Sequence, residues 1–178
     1  MRLVTKRLIL RRPTLKDVKA ITENANNLNV TKYISRMPYP YSIKDAKSYI
    51  KFCKKLKQNH YEFSIKLKSS GKLAGIISLM NIDKFGKKAE IGCWLGQRYW
   101  RQGIGAESAK AIMKFALNKL KLIRLEANVC CENQVSKNLW RKLGFKKEGT
   151  KRHALRSRAT GRWHDTCIYG FLKSDTKL

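Results

Sequence analysis

The stretch from residue 94 to residue 120 constrains the fold of this chain more than any other. Its first residues end a run with strand character, and Gly103 and Gly105 then mark a turn. Beyond the turn the apolar residues recur with the spacing of one buried face of an α-helix. These residues are Ala109, Ile112, Met113, Ala116, Leu117 and Leu120. The sequence therefore predicts a strand that leads through a glycine turn into a helix.

A glycine turn between a strand and a helix can bind an anion. Glycines let a phosphate approach the backbone, and the first turn of the helix offers unpaired N–H groups with a partial positive charge. The pattern matches neither common nucleotide fingerprint: no Gly-Lys-Ser/Thr follows, and Ser108 stands where the dinucleotide motif has its third glycine. A tight turn that serves only packing gives the same pattern, so the turn alone leaves both interpretations open.

The chain is long enough for one complete domain. Its 178 residues can bury a full core, and no repeat or linker divides them, so we expect one domain over residues 1–178. Five cysteines form no Cys-x-x-Cys pair and the three histidines are scattered, so we expect no metal site and no need for disulfides. An odd cysteine count without a secretion signal favours the cytoplasm, and no apolar run reaches membrane length.

The formal net charge of +28 arises from 40 lysines and arginines against 12 acidic residues. Such a charge attracts acidic proteins, ribosomes and RNA, and it repels cationic small molecules. Many of the lysines lie on predicted helix faces, however, where solvation alone explains them. The charge is therefore compatible with an acidic partner but does not establish one.

The remaining chain alternates between short strand and helix patterns. Capping-box residues begin two of the helices, Thr14 with Asp17 and Ser42 with Asp45. Gly144 lies where the last helix needs a left-handed cap. The predicted strands cover about 7–11, 61–67, 73–80, 89–96, 124–129, 145–155 and 162–172. The predicted helices cover about 14–26, a segment from 42, 109–120 and 133–143.

Six segments, in chain order, span nearly the whole sequence. They are Thr5-Lys-Arg-Leu-Ile-Leu-Arg-Arg-Pro13, Tyr39-Pro-Tyr-Ser-Ile-Lys-Asp-Ala46, Ala89-Glu-Ile-Gly-Cys-Trp-Leu-Gly96, Tyr99-Trp-Arg-Gln-Gly-Ile-Gly105, Asn133-Gln-Val-Ser136, and Leu143-Gly-Phe145 with Glu148-Gly149. This pattern resembles the GNAT superfamily of N-acetyltransferases, and more closely its RimJ/RimL-type branch. The resemblance implies an α/β (α+β) fold with a mixed, mostly antiparallel sheet of about seven strands flanked by about four helices.

The resemblance also implies acetyl-CoA as the co-substrate. Its pyrophosphate would lie over the turn of Gly103, Ile104, Gly105 and Ala106. Arg101 would supply positive charge nearby, and Gln102 is a further candidate contact to the cofactor. The pantetheine arm would pair like an added strand with the backbone of Cys93, Trp94 and Leu95, where an N–H would polarise the thioester carbonyl. Asn133 matches a side chain that contacts the pantetheine, although an asparagine there also serves as a helix N-cap. For Arg101, a solvated side chain is the alternative.

Acetyl transfer needs a neutral amine, a polarised carbonyl and a proton for the leaving thiolate. Holding both substrates in line lowers the barrier without a covalent enzyme intermediate, so we expect Cys93 to be a packing residue. Glu90 is the candidate base, directly or through water, with a charged strand-edge residue as the alternative. Many GNAT enzymes have a tyrosine acid where this chain has Trp140, so Ser136 or water is the candidate to protonate the thiolate. For Ser136 the alternative is a small helix residue that packs against the cofactor.

The acceptor amine sets the demand on the base. With reference pKa values, about 10% of an α-amine is neutral at pH 7, against about 0.04% of a lysine amine. A site with one modest base therefore suits a protein or peptide N-terminus, and the resemblance makes a ribosomal protein the leading candidate. A polyamine or aminoglycoside acceptor is the enzymatic alternative. A non-catalytic CoA- or RNA-binding module is the alternative from another class.

The last two predicted strands are dense in cations. These are Lys146, Lys147, Lys151, Arg152, Arg156, Arg158 and Arg162. In N-terminal acetyltransferases of this fold the matching hairpin borders the acceptor entrance, which would let it dock an acidic protein or ribosomal surface. A solvated strand face is the alternative.

Overall fold

The computed structural model describes residues 1–56 and 59–175, which contain eight strands and five α-helices. The strands are β1 (Arg2–Val4), β2 (Leu8–Arg11), β3 (Tyr61–Leu67), β4 (Leu73–Asp83), β5 (Lys88–Leu95), β6 (Arg124–Cys130), β7 (Lys146–Arg156) and β8 (Trp163–Leu172). The helices are α1 (Val18–Ala25), α2 (Leu28–Thr31), α3 (Ile43–Lys55), α4 (Ile104–Lys114) and α5 (Gln134–Lys142).

All eight strands form one sheet in the order β1-β2-β3-β4-β5-β6-β8-β7. Neighbouring strands are antiparallel except for β5 and β6, which run parallel. These two strands pair only over Lys88–Glu90 and Arg124–Glu126, although β5 continues to Leu95 and β6 to Cys130. The two strands therefore separate beyond Glu90, and the sheet is open at its centre.

Helices pack on both faces of this sheet. On one face α4 buries Ala109 and Ile112 against the sheet residues Ile77, Leu79 and Ile91. On the other face α1 and α3 bury a second apolar cluster against β4. The members of that cluster include Val18, Ile21, Ala46, Ile50, Leu73 and Ile76. The open centre of the sheet is thus flanked by helices on either side.

The sequence predictions of fold class and element order are confirmed. Strand β1 and helix α2 were not predicted, because segments of three and four residues are too short to give a periodic signal. The helix after the glycine turn begins earlier than the apolar pattern and ends in a π-helical turn over Phe115–Lys119. Gly144 has φ +89°, as a left-handed cap requires.

The apolar spacing in α5 predicts that Val135 faces inward, and this prediction is wrong. Val135 shares helical spacing with Leu139, which predicts burial, yet it is 52% exposed. It lies in the first turn of α5, at the protein surface.

The cysteines differ from the expectation of free thiols in a reducing compartment. Cys131 and Cys167 form a disulfide, whereas Cys53, Cys93 and Cys130 are free. The bond joins the loop after β6 to β8. No sequence pattern predicts this bond, because the two residues are 36 positions apart and share no recognisable motif. Within the described residues no helix is long and apolar enough to cross a membrane.

The predicted capping box of α3 is present. The Ser42 hydroxyl accepts from the Asp45 N–H (3.2 Å), and the Asp45 carboxylate accepts from the Ser42 N–H (2.9 Å). Hydrogen bonds from the Ser42 side chain and backbone hold the pKa of Asp45 below its usual value. The box is therefore fully formed above the pKa of an unfolded aspartate, and it weakens as the pH falls through the lowered pKa.

We expect Ser42→Ala to lower the free energy of unfolding by about 1 kcal/mol. The Asp45 N–H would lose its acceptor, and the Asp45 carboxylate that accepts from the Ser42 N–H would lose the hydroxyl that helps to hold it. Denaturant unfolding at pH 7 measures this. Ser69→Ala, in an exposed turn, is the control and should change stability by less than about 0.5 kcal/mol. Equal stability of the Ser42 variant and the native chain would contradict a stabilising role for the box.

Candidate active site

A cleft opens where β5 and β6 separate. The hydrogen-bond ladder between them ends at Glu90 and Glu126, so the remaining edge of β5 has no strand beside it on that side. Cys93, Trp94 and Leu95 lie on this part of β5 and line the cleft. An exposed strand edge can accept an extended chain by main-chain hydrogen bonds. One of its groups is already engaged, since the Leu95 carbonyl accepts from Trp100 Nε1 at 2.8 Å.

The glycine turn lies at one end of this cleft. Gly103 has φ +74°, a conformation that glycine adopts without steric cost, and it is the N-cap of α4. Arg101, Gly103, Ile104, Gly105 and Ala106 all line the cleft. The unpaired N–H groups at the start of α4 therefore lie beside the open edge of β5. Of the residues predicted for this turn, Gln102 differs, because its side chain turns back to donate to the Arg98 carbonyl (2.7 Å).

A cation from the N-terminal segment reaches the same turn. Arg7 donates through Nη1 to the Gln102 carbonyl (3.0 Å) and through Nε to Glu107 (2.6 Å), and Thr5 also donates to Glu107 (2.6 Å). Partial burial opposes ionisation of Glu107, but the hydrogen bonds from Thr5 and Arg7 outweigh it and lower its pKa. Sequence analysis did not identify Arg7 at the turn, because the contact spans about a hundred residues.

Asn133 and Ser136 lie on the opposite wall, at the start of α5. The Asn133 side-chain oxygen accepts from the Ser136 N–H at 3.1 Å, so the asparagine is an N-cap. Both residues line the cleft. The cap uses only the Asn133 oxygen, which leaves its amide nitrogen free to donate. Among the described residues the Ser136 hydroxyl makes no hydrogen bond, so it too can serve a ligand.

The Cys93 thiol lies among the residues that pack against the core around α4. Burial raises its pKa to about 12, although a hydrogen bond with Ser108 acts in the opposite direction. A thiol with such a pKa remains protonated near neutral pH and is a poor nucleophile. This position accords with the packing role expected for Cys93.

Glu90 lies at the point where the two strands part. In the sheet it stands opposite Met80 on β4 and Glu126 on β6. Its carboxylate accepts from the Asn81 side chain at 3.3 Å, and it lines the cleft. Glu126 differs because its carboxylate is bound to Arg124 at 2.8 Å. Among the described residues no lysine or arginine forms an ion pair with Glu90, so its charge is free to act on a ligand.

A second carboxylate in the cleft was not identified from the sequence. Glu62 on β3 is 8% exposed and accepts from Tyr49 (2.9 Å) and Ser78 (2.5 Å), while His60 Nε2 lies 2.8 Å away. All four residues line the cleft. Strand alternation places Glu62 on one sheet face, but the sequence does not reveal that this face borders the opening.

The cleft is much less cationic than the molecule as a whole. Among the described residues its lining contains four of the 12 acidic residues but only six of the 40 lysines and arginines. The acidic members are Asp45, Glu62, Glu90 and Glu132, and the basic members are Lys32, Arg36, Arg101, Lys142, Lys151 and Arg158. The repulsion of cationic ligands that the net charge predicts is therefore weaker within the cleft.

The cationic hairpin of β7 and β8 reaches the cleft in part. Lys151 lines it, as does Arg158 in the loop that follows β7. Lys146 is instead paired with Asp175 (2.7 Å), and the Arg156 guanidinium lies over the Trp163 ring. Among the described residues no group of three or more His, Cys, Asp or Glu side chains is placed to hold a metal ion.

Trp140, for which the family resemblance implied a tyrosine acid, is 2% exposed. Its ring packs at an angle against Phe145, with 5.0 Å between the ring centroids. An indole has no acidic hydroxyl, so this side chain contributes shape and packing to the cleft and not a proton.

Known proteins resemble the chain over most of its length. An uncharacterized N-acetyltransferase, p20 of Bacillus licheniformis, is 31% identical over 97% of each chain. YdaF of Bacillus subtilis, whose name assigns it provisionally to ribosomal N-acetylation, is 32% identical over 59% of this chain and 56% of its own. Spermidine N(1)-acetyltransferase of Escherichia coli K12 is 26% identical over 77% and 72%, respectively.

Solved structures agree in fold. A GNAT-family acetyltransferase from Bacillus anthracis superposes with a TM-score of 0.83 at 26% identity, over 98% of this chain and 99% of its own. RimL, a ribosomal L7/L12 α-N-protein acetyltransferase solved with coenzyme A, gives a TM-score of 0.84 at 22% identity, over 99% and 100%. The model of the acetyltransferase (GNAT) domain family matches residues 7–146. By this match and by its fold, the chain belongs to the GNAT family of acetyltransferases.

Proposed function

We propose that this chain, as a single domain over residues 1–178, transfers the acetyl group of acetyl-CoA to a primary amine. The observation that carries the proposal is the open edge of β5 beside the glycine turn. This arrangement offers main-chain partners for an extended pantetheine arm and a helix N-terminus for a pyrophosphate. The match of residues 7–146 to the acetyltransferase (GNAT) domain family supports the same assignment.

The residues of the turn suit a pyrophosphate. Gly103 leaves room for a phosphate oxygen at the N-terminus of α4, and Arg7 and Arg101 supply positive charge beside it. When bound there, acetyl-CoA supplies an activated acetyl group. The amide nitrogen of Asn133 is the proposed side-chain donor to the pantetheine arm.

The chemistry follows from the groups around the open edge. The acceptor nitrogen attacks the thioester carbon, a C–N bond forms and the C–S bond breaks. Glu90, directly or through water, takes the proton that the amine loses. A backbone N–H of the segment Cys93–Leu95 stabilises the developing oxyanion. The Ser136 hydroxyl or a water gives the thiolate its proton, and no covalent enzyme intermediate is needed.

The proposed acceptor is a protein N-terminal α-amine, with a ribosomal protein as the leading candidate. The names of YdaF and RimL support this class, and so do Lys151 and Arg158 at the cleft, which could attract an acidic protein surface. A ribosomal partner implies the cytoplasm, although disulfides such as Cys131–Cys167 are rare there. RNA is a further candidate partner for the cationic surface.

A small-molecule amine is the second candidate acceptor. The sequence-based argument against a polyamine depended on the net charge, but the cleft itself contains Glu62 and Glu90 without a lysine or arginine partner among the described residues. The name of the spermidine acetyltransferase relative supports the same acceptor class. An aminoglycoside belongs to this class as well.

The test is release of CoA thiol from acetyl-CoA in the presence of different amines at moderate salt. One arm uses peptides with free N-termini, including ribosomal-protein N-termini, and the others use spermidine and an aminoglycoside. We expect turnover with at least one free-N-terminal peptide and none with the same peptide acetylated beforehand. Turnover with spermidine alone would replace the leading acceptor by the second.

Acetyl-CoA binding measured without an acceptor separates the remaining outcomes. Binding without turnover on any amine would contradict the proposed transfer and favour a non-catalytic module. RNA affinity that falls steeply with salt, with no turnover, would assign the cationic surface to nucleic acid. Absence of acetyl-CoA binding would remove the basis of the proposal altogether.

A further inference from the structure

Glu62 is a buried carboxylate that lines the cleft. Its Oε2 accepts from the Tyr49 hydroxyl at 2.9 Å and from the Ser78 hydroxyl at 2.5 Å. Its Oε1 lies 2.8 Å from His60 Nε2. A carboxylate can accept about four hydrogen bonds, so among the described residues these three leave one acceptor position, on Oε1, unused. These hydrogen bonds thus hold the Glu62 carboxylate in place and leave it able to accept one more.

The partners of Glu62 leave its charge poorly neutralised. Other carboxylates of low exposure are paired with arginine: Asp17 with Arg11 at 2.7 Å, and Glu107 with Arg7 at 2.6 Å. Within the described part of the chain, the ion pair of Glu62 is with His60 alone, and no lysine or arginine is paired with it. In a protein with 40 lysines and arginines, a buried carboxylate without one of them is unusual.

The surroundings suit an organic cation. The Phe52 ring stands edge to face against His60, with 5.8 Å between centroids, and it is 41% exposed where it lines the cleft. Burial, with the nearby charge of Glu62 as a further cause, raises the pKa of Tyr49 well above its usual value, so Tyr49 remains a neutral donor. A carboxylate beside aromatic rings commonly forms a binding site for an ammonium or guanidinium group.

The distance between Glu62 and Glu90 determines how far apart the two cationic groups of a ligand would lie. Glu62 stands opposite Ser78 on β4, Ser78 stands opposite Gly92 on β5, and Glu90 lies two residues from Gly92 on the same sheet face. Two strand spacings and two residues along a strand place the Cα atoms of Glu62 and Glu90 about 12 Å apart. A group bound at Glu62 is therefore distant from the amine that reacts at Glu90.

We propose that Glu62 binds a second cationic group of the acceptor, roughly 10 Å from the reacting amine. This inference rests on the proposed acetyl transfer and narrows its substrate class to amines with a distal ammonium or guanidinium. Both an α,ω-diamine and a peptide whose lysine or arginine follows a free N-terminus have this chemistry. Glu62 is a specificity residue in this scheme, since it touches the acceptor but not the reacting atoms.

The experiment compares acceptors that differ only in the distal charge. One arm uses 1,8-diaminooctane against octylamine, and the other a free-N-terminal peptide with lysine at its third position against the same peptide with acetyllysine. We expect the member with the distal charge, in at least one pair, to have a KM at least 10-fold lower at similar kcat. We expect Glu62→Gln to remove most of that difference by raising the KM of that member.

The two arms identify the source of the cation. A preference in the diamine arm alone assigns the site to small molecules, and one in the peptide arm alone assigns it to protein N-termini. Equal KM values within both pairs would overturn the proposal, as would a preference that Glu62→Gln leaves intact. Glu23→Gln is the matched control, because Glu23 is exposed and lies outside the cleft, yet its loss changes the net charge by the same amount.

Two further measurements keep the inference independent of folding and of turnover. Glu62→Asp retains the charge, so it should keep part of the preference even if Glu62→Gln is less stable. Calorimetric binding of both acceptor pairs to the native chain with CoA tests the site when no amine is acetylated. A binding advantage for the member with the distal charge, without turnover, would contradict the proposed transfer but support the cation site. No binding advantage within either pair would overturn the site.

Discussion

Gly103→Asp is expected to weaken acetyl-CoA binding by at least about 100-fold. Gly103 is the N-cap of α4 with φ +74°, at the position proposed for the pyrophosphate. A carboxylate there would stand within about 4 Å of phosphate oxygens, where like charges repel by several kcal/mol at an effective dielectric constant near 20. It would also attract Arg7, whose Nη2 lies 3.2 Å from the position of an added Cβ, and so withdraw a cation from the ligand. Both effects act in the same direction.

The measurement is the Kd of acetyl-CoA by calorimetry, with circular dichroism to confirm folding. Gly103→Asn is the matched variant, because asparagine has the same shape, tolerates positive φ and is neutral. It should lose less than about 10-fold. Gly71→Asp adds the same charge at a glycine with φ +65° and open space around it, in the turn between β3 and β4, and should bind normally. Retained affinity in Gly103→Asp would mean that the pyrophosphate lies elsewhere.

The glycine turn could be predicted from the sequence because its determinants are local. The turn and the helix that follows lie within about twenty residues, and helical periodicity needs no knowledge of the rest of the fold. The same holds for the Ser42–Asp45 capping box and for the left-handed cap at Gly144. Each of these features is fixed by residues three or four positions apart, which is the range over which sequence patterns report directly on geometry.

The parts of the site that were missed depend on long-range contacts. Arg7 reaches the turn across about a hundred residues, and Glu62 enters the cleft because β3 stands two strands away from β5. Nothing near either residue in the sequence distinguishes it from the many other charged residues of the chain. The same reason explains the Cys131–Cys167 bond and the low positive charge of the cleft, since both arise from how distant segments meet.

The separation of β5 from β6 is a further long-range feature. Sequence patterns predicted both strands but not that their ladder ends at Glu90 and Glu126. The point where the ladder ends determines which carboxylate can act on a ligand. Glu126 is bound to Arg124, whereas Glu90 lines the cleft where the strands separate. Two glutamates that look alike in the sequence thus have different chemical roles open to them.

Glu90→Gln is expected to lower kcat by about 100-fold at pH 7 while the Kd of acetyl-CoA changes by less than about 2-fold. A positioned base contributes at least this much to proton transfer, and glutamine keeps the size and the hydrogen bond to Asn81 but takes no proton. Glu126→Gln is the matched control, because it removes a glutamate directly opposite in the sheet whose carboxylate is already bound to Arg124. We expect it to retain kcat within about 3-fold.

The dependence of this loss on pH distinguishes a base from a structural residue. A reference α-amine has a pKa near 8, so at pH 9 most of it is neutral without help from the protein. If Glu90 takes the proton of the amine, the deficit of the glutamine variant should therefore shrink from about 100-fold at pH 7 toward 10-fold or less at pH 9. A deficit that stays constant with pH would indicate that Glu90 orients the acceptor, and an unchanged kcat at every pH would leave it no part in the reaction.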